Sequence, residues 1–196
     1  MRDKIIVVDF EAPDVPMLAS RLEELGVESI IKDCQVTAAE IRDLGHVKGI
    51  ILSGGPKSVL KPDPLVLEPE IFKLGIPILG VCYGMELLMA HLGGRVERRK
   101  EPETGAFRLT VFRESPLFKN TPEEQTVYMN HSDQDMVMPK GFETLAHTKT
   151  CAIAAAQDRG RGFYGVQFHP EKSETVAGQQ IFRNFLFDIC GCQLPH

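Results

Sequence analysis

Up to Val81 the chain alternates between two hydrophobic periods, and this alternation restricts its fold more than any other property. The runs KIIVVDF, VESIIKD, VKGIILS and IPILGV are short, apolar and rich in β-branched residues, as strands buried on both faces are. Between them lie stretches with apolar residues at helical spacing. One carries Met17, Leu18, Leu22 and Leu25. A second, TAAEIRDLG, has Thr37 as N-cap, Glu40 three residues on to complete a capping box, and Gly45 as a stop. A third lies within PLVLEPEIFKLG. Strand and helix taking turns imply a parallel sheet with helices on both faces. After the helix in CYGMELLMAHLGG the pattern changes. FRLTVF, QTVYMN, TLAHT, CAIAAAQ and FYGVQF read as short strands joined by Pro and Gly turns, a mixed extension of the sheet. A last helix, from about Thr175, lines up Ile181, Phe185 and Ile189 as a core stripe, with Phe182 and Leu186 beside it. The expected fold is α/β: an open, mostly parallel central sheet, helices on both faces and a mixed β extension. It forms one domain over residues 1–196.

Several function classes fall away on composition. The net charge of −5 argues against a nucleic-acid partner, because phosphate binding needs clustered Lys and Arg. The one basic cluster, residues 95–100, is broken by Val96 and Glu97 and reads as a solvated turn. The apolar run before Asp9 is too short for a secretory signal, and no stretch approaches the roughly 18 apolar residues of a membrane span, so a cytoplasmic protein is expected. Five cysteines without regular spacing point to reduced thiols. Cys190, Cys192 and His196 lack a fourth partner for a metal, and none is expected.

Open sheets of this kind bind ligands beyond the carboxyl ends of their strands. Three unusual segments fall there: LSGGP (52–56), GVCYG (80–84) and QFHPE (167–171). GxCxG resembles the nucleophile elbow GxSxG, a strained strand-to-helix turn that admits only small residues two places from its centre. Gly80 and Gly84 meet that need around Cys82. A helix N-terminus and a nearby imidazolium lower a thiol pKa from its ordinary value of about 8.5. Pro170 biases His169 to extended backbone, where residues two apart project to the same side, so Glu171 can hold the His169 ring. Cys82, His169 and Glu171 then read as nucleophile, base and orienter. The plainer alternatives are a small residue packing a turn and a surface histidine beside proline. In LSGGP the phosphate-loop spacing is absent and Pro56 removes a donor. An oxyanion hole made by the N–H groups of Gly55 and Tyr83 is the better use of these glycines.

Taken together, the elbow, SGGP and FHPE in this order resemble the triad-type (class I) glutamine amidotransferases, whose flavodoxin-like fold the chain is expected to share. Within that family GIILSGGPKSV, PILGVCYGM, HLGG, VYMNHSD, GFETLAHT, YGVQFHPE and NFLFDICGC are similar to the glutaminase domains of GMP synthetases. The resemblance implies that Cys82 attacks the side-chain amide of glutamine to form a thioester. His169 then protonates the leaving ammonia and activates water, while Glu171 orients the ring. It further implies that Gly54, Glu86, Asn130, Ser132 and Asp133 contact glutamine. Ammonia would pass to an ATP-pyrophosphatase partner, carrying ATP and Mg, that converts XMP to GMP. The chain ends after DICGC, about where that second domain begins, so a separate subunit or an excised domain is expected. Three positions depart from the family pattern. Glu86 replaces the usual Gln; a carboxylate there could accept from the α-ammonium of the substrate but would repel its α-carboxylate, so weaker glutamine binding is expected. EAPDV (11–15) replaces GSQY after the first strand, and KSET (172–175) replaces VTHT near the expected partner face. The alternatives are a glutaminase subunit of anthranilate or carbamoyl-phosphate type, and a regulatory paralogue impaired by Glu86.

Overall fold

The computed structural model describes residues 1–194. Its elements, in chain order, are β1 (Lys4–Asp9), α1 (Val15–Glu24), β2 (Glu28–Asp33), α2 (Ala38–Leu44), β3 (Val47–Leu52), β4 (Ile78–Val81), α3 (Tyr83–His91), β5 (Arg95–Val111), β6 (Glu124–Val137), β7 (Glu143–His147), β8 (Ala155–Asp158), β9 (Phe163–Val166) and α4 (Gly178–Arg183). The strands form a single sheet in the order β2-β1-β3-β4-β9-β8-β7-β5-β6. The first five in that order are parallel, and the remaining pairings are antiparallel. This is the expected architecture.

Each inner parallel strand feeds both faces. Ile5 and Val7 of β1 pack with Leu18 and Leu22 of α1 and with Ile181, Phe182 and Phe185 near the C-terminus. Their neighbours Ile6 and Val8 pack on the opposite side with Ile41 of α2 and with Leu87 and Leu88 of α3. Burial on both sides is why these strands are continuous apolar runs. Helix α2 starts as its residues require: the Thr37 hydroxyl accepts from the Glu40 amide at 3.2 Å, and the Glu40 carboxylate accepts from the Thr37 amide at 2.7 Å.

Several expectations need correction. Residues 95–100 are not a turn but the start of β5, a 17-residue strand paired with the 14-residue β6 at the sheet edge. Edge residues alternate between solvent and core, so their charges do not preclude a strand. PLVLEPEIFKLG holds only a short 3₁₀ segment, Pro69–Lys73, and CAIAAAQ becomes a strand only at Ala155. The last helix begins at Gly178 and widens into π-type turns over Asn184–Ile189. Cys190 and Cys192 are buried and all five thiols are unpaired, while His196 lies outside the described residues. Among the described residues no helix is long and apolar enough to cross a membrane.

Candidate active site

Because β1, β3, β4 and β9 are parallel neighbours, their carboxyl ends meet at one edge, and the three singled-out segments follow three of them. Ser53 joins β3 to β1 there: its amide donates to the Val8 carbonyl, and its hydroxyl accepts from the Phe10 amide, both at 3.0 Å. The Cys82 amide donates to the Val166 carbonyl at 2.8 Å, tying the end of β4 to that of β9.

Cys82 has φ 52° and ψ −109°, a conformation that L side chains rarely adopt, directly before the first residue of α3. The crossing is tight on both sides. A methyl group at Gly80 would lie 2.6 Å from the Met85 backbone nitrogen, and one at Gly84 would overlap the Leu52 carbonyl. The two glycines are therefore required by close approach, as the elbow pattern predicts. His169 Nδ1 is 2.6 Å from Glu171 Oε1, with both side chains buried. Its Nε2 has no hydrogen-bond partner, and the ring and the Cys82 side chain border one point: a methyl group at Gly54 would lie 3.1 Å from His169 Cε1 and 3.6 Å from Cys82 Cβ. Burial pushes the Cys82 thiol up, and the His169 imidazole opposes that shift. Burial likewise opposes charge on His169, but Cys82 and Glu171 outweigh it and raise the imidazole well above its ordinary value. The pair is thus arranged to share one proton, and its titration belongs to both groups together.

Beside Cys82 opens a cavity of about 250 Å³, lined by Gly55, Tyr83, Glu86, Asn130, Ser132 and Asp133 among others. The expected oxyanion donors and four of the five expected glutamine contacts therefore come together. Gly54 does not line the cavity. It packs on the triad instead, where a methyl group would lie 3.1 Å from His169 Cε1. The Asn130 carbonyl accepts from Cys82 Sγ at 3.5 Å. Asp133 accepts from the Ser58 hydroxyl and lies 3.9 Å from Arg98.

Glu86 differs from its expectation. It is only 3% exposed, and burial together with Asp135 pushes its pKa up to about 8, so at neutral pH it is mostly an uncharged acid rather than a carboxylate. Gln167, which the sequence did not single out as a functional residue, donates to Glu86 Oε1 at 3.1 Å and approaches Cys82 Sγ at 3.8 Å. Its position two residues before His169 was the available signal, although the chain bends at Gln167 and Phe168 after β9. Nothing in the sequence marked Asp135 as buried. The other two departures from the family pattern touch each other: Lys172 Nζ is 2.9 Å from Asp14 and 5.6 Å from the centre of the Tyr128 ring.

A second Cys, His and Glu grouping adjoins the cavity, which His131 lines together with Cys82. His131 bonds Glu103 at 2.8 Å, and Cys151 is adjacent. Arg99 at 3.2 Å and the Thr150 hydroxyl complete the surroundings of Glu103, and His131 Nδ1 lies 2.6 Å from the Asp133 carbonyl. Burial pushes Cys151 up to about 12, its thiol points at the Ile153 carbonyl, and it does not line the cavity. A thiol so hard to ionise is a poor nucleophile. This grouping buttresses the 130–133 segment.

Residues 6–189 match the family model described as glutamine amidotransferase class-I. The chain is 45% identical over 190 residues to GMP synthase [glutamine-hydrolyzing] of Enterococcus faecalis, covering 97% of this chain and 36% of that protein. It is 46% identical over 193 residues to the protein of the same name from Streptococcus thermophilus, again covering 97% and 36%. The chain thus spans little more than a third of the length of the curated relatives it matches. The crystal structure of a Thermoplasma acidophilum protein, described as one subunit of a GMP synthase, superposes with a TM-score of 0.85 at 31% identity, covering 97% of this chain and 95% of that one.

Proposed function

Since the chain belongs to the class-I glutamine amidotransferase family, we propose that it hydrolyses the side-chain amide of glutamine through Cys82. We further propose that it delivers the ammonia to an ATP-pyrophosphatase partner converting XMP to GMP. The observation that carries the catalytic reading is Cys82 in its strained conformation at the N-terminus of α3, beside a His169 ring bonded to Glu171 at 2.6 Å.

In this reading the Cys82 thiolate attacks the amide carbon, and the N–H groups of Gly55 and Tyr83 donate to the developing oxyanion. The His169 imidazolium gives its proton to the departing nitrogen, leaving a γ-glutamyl thioester and ammonia. The neutral imidazole then takes a proton from water, which attacks the thioester and releases glutamate. Glu171 keeps the ring oriented throughout. Asn130, Ser132, Asp133 and Glu86 hold the amino-acid end of the substrate. ATP and Mg belong to the partner, and the setting is cytoplasmic. The names of the relatives favour GMP synthesis over anthranilate or carbamoyl-phosphate synthesis, and the intact triad favours an active enzyme over an impaired paralogue.

Glutamate release from glutamine, measured for the chain alone and with an ATP-pyrophosphatase partner plus ATP, Mg²⁺ and XMP, tests this. Release that is abolished by Cys82→Ala and stimulated by XMP is expected. Undiminished turnover in that variant would end the thioester mechanism, and indifference to XMP would end the GMP assignment.

A further inference from the structure

One helical turn separates Cys82 from Glu86, so both side chains open onto the same cavity. A glutamine whose amide carbon meets Cys82 must place the rest of its length in that cavity, which Glu86 lines. The charges facing Glu86 are unbalanced. Its own helix and the elbow contribute Tyr83 and Cys82, β6 contributes Asp133 and Asp135, and the segment after β9 contributes His169 and the Gln167 amide. Arg98 of β5 reaches Asp133 but not Glu86, and the cavity's Lys57 is exposed. Asp135 is 2% exposed, and neither of its oxygens has a hydrogen-bond partner. With so little compensating charge, the buried carboxyl groups of Glu86 and Asp135 both hold their protons more firmly than they would in water.

A carboxyl group that keeps its proton has one O–H donor beside an acceptor oxygen. A carboxamide offers the same pair of functions. Gln167 already donates to Glu86 Oε1, which leaves the other oxygen to carry the proton into the cavity. For the α-ammonium Asp133 offers a separate oxygen, since its buried Oδ1 accepts no hydrogen bond and has only Arg98 near it, at 3.9 Å. We propose that Glu86 is a specificity-determining residue that recognises the α-carboxylate of glutamine as an uncharged acid, donating its O–H. Ionisation then converts the contact into repulsion, so that substrate affinity falls with rising pH.

This inference rests on the glutaminase reading and can fail separately from it. The test is KM for glutamine from pH 6.5 to 9.5, in the presence of the synthetase partner, for the wild type and for Glu86→Gln, which cannot ionise. The ratio of wild-type to variant KM cancels the titration of the substrate's own ammonium group. The ratio should be level below about pH 7 and climb towards tenfold per pH unit above the Glu86 titration near 8, while the kcat ratio stays level. With the α-amide of glutamine, which lacks the α-carboxylate, the KM ratio should stay level throughout. Asp135→Asn gives a reading that does not depend on the Gln variant: removing that neighbouring charge should move the alkaline rise in KM to lower pH. A level KM ratio for glutamine overturns the proposal, and so does a falling one, which would pair Glu86 with the ammonium. If the wild type with its partner releases no glutamate at all, the glutaminase reading and this inference fall together.

Discussion

The φ of 52° at Cys82 costs backbone energy that a non-glycine residue rarely accepts, and two glycines allow the chain to accept it. Gly84 passes so near the Leu52 carbonyl that a methyl group there would meet backbone, which cannot rotate aside. Gly84→Ala should therefore lift the start of α3 off β3, lowering stability by about 1–3 kcal/mol. It should also cut kcat, because the Cys82 sulfur and the Tyr83 N–H move together. Urea midpoints and glutaminase rates check this, and a variant matching the wild type in both would show that the elbow is not under steric constraint. The glycines were legible in the sequence because close backbone approach selects that residue type, and Cys82, His169 and Glu171 because a nucleophile, a base and an orienter stood at the spacing those roles need. Asp135 was not, because a buried polar side chain and a solvated one look alike in a sequence, and Gln167 was not singled out although its spacing from His169 was a signal. Glu86 was legible as a departure, but not as an acid that keeps its proton, since its charge state depends on residues nearly fifty positions away.

The paired strands β5 and β6 carry the 130–133 segment, proposed to hold the substrate, at the sheet edge, and their register shifts between Arg98 and Glu103. Glu103 sits at that irregularity and gathers Arg99, His131 and Thr150 around one carboxylate. His131 passes the constraint on, with Nδ1 lying 2.6 Å from the Asp133 carbonyl. Glu103→Ala leaves the partly buried Arg99 guanidinium and the buried His131 imidazole without their shared acceptor, and a loss of about 1–3 kcal/mol is expected. Its kinetic signature should be a raised KM for glutamine with a smaller change in kcat, because β6 holds the substrate segment while β4 and α3 hold the nucleophile. A variant losing kcat at constant KM would refute that division of labour. The parallel half of the sheet could be read ahead of the structure, since strands covered on both faces must be apolar throughout. The edge pair could not be bounded, because alternating exposure along β5 mixes Arg, Glu and Lys with Val96 and Leu109, and charges at 95–100 imitate a turn.

For the molecule as a whole, the acidic cluster ties function to stability. Burial raises Glu86 from 4.5 to about 8 and Asp135 from 3.8 to about 7. Between those limits the folded state holds protons that the unfolded chain has released. The contribution of these two groups to stability is therefore full below about pH 4 and is lost as pH rises towards 8. This is opposite in sign to the usual effect of ion-paired carboxylates, which stabilise as pH rises. Asp135→Asn removes one of the two titrations and, by removing a neighbouring charge, reduces the shift of the other. Its urea midpoint should therefore fall less between pH 5 and pH 8 than that of the wild type, whatever its absolute stability. The other titrating groups are common to both proteins and drop out of the difference. Parallel midpoint curves would mean that these carboxyl groups ionise in the folded state as readily as in water, and the neutral Glu86 on which substrate recognition depends would be lost with them.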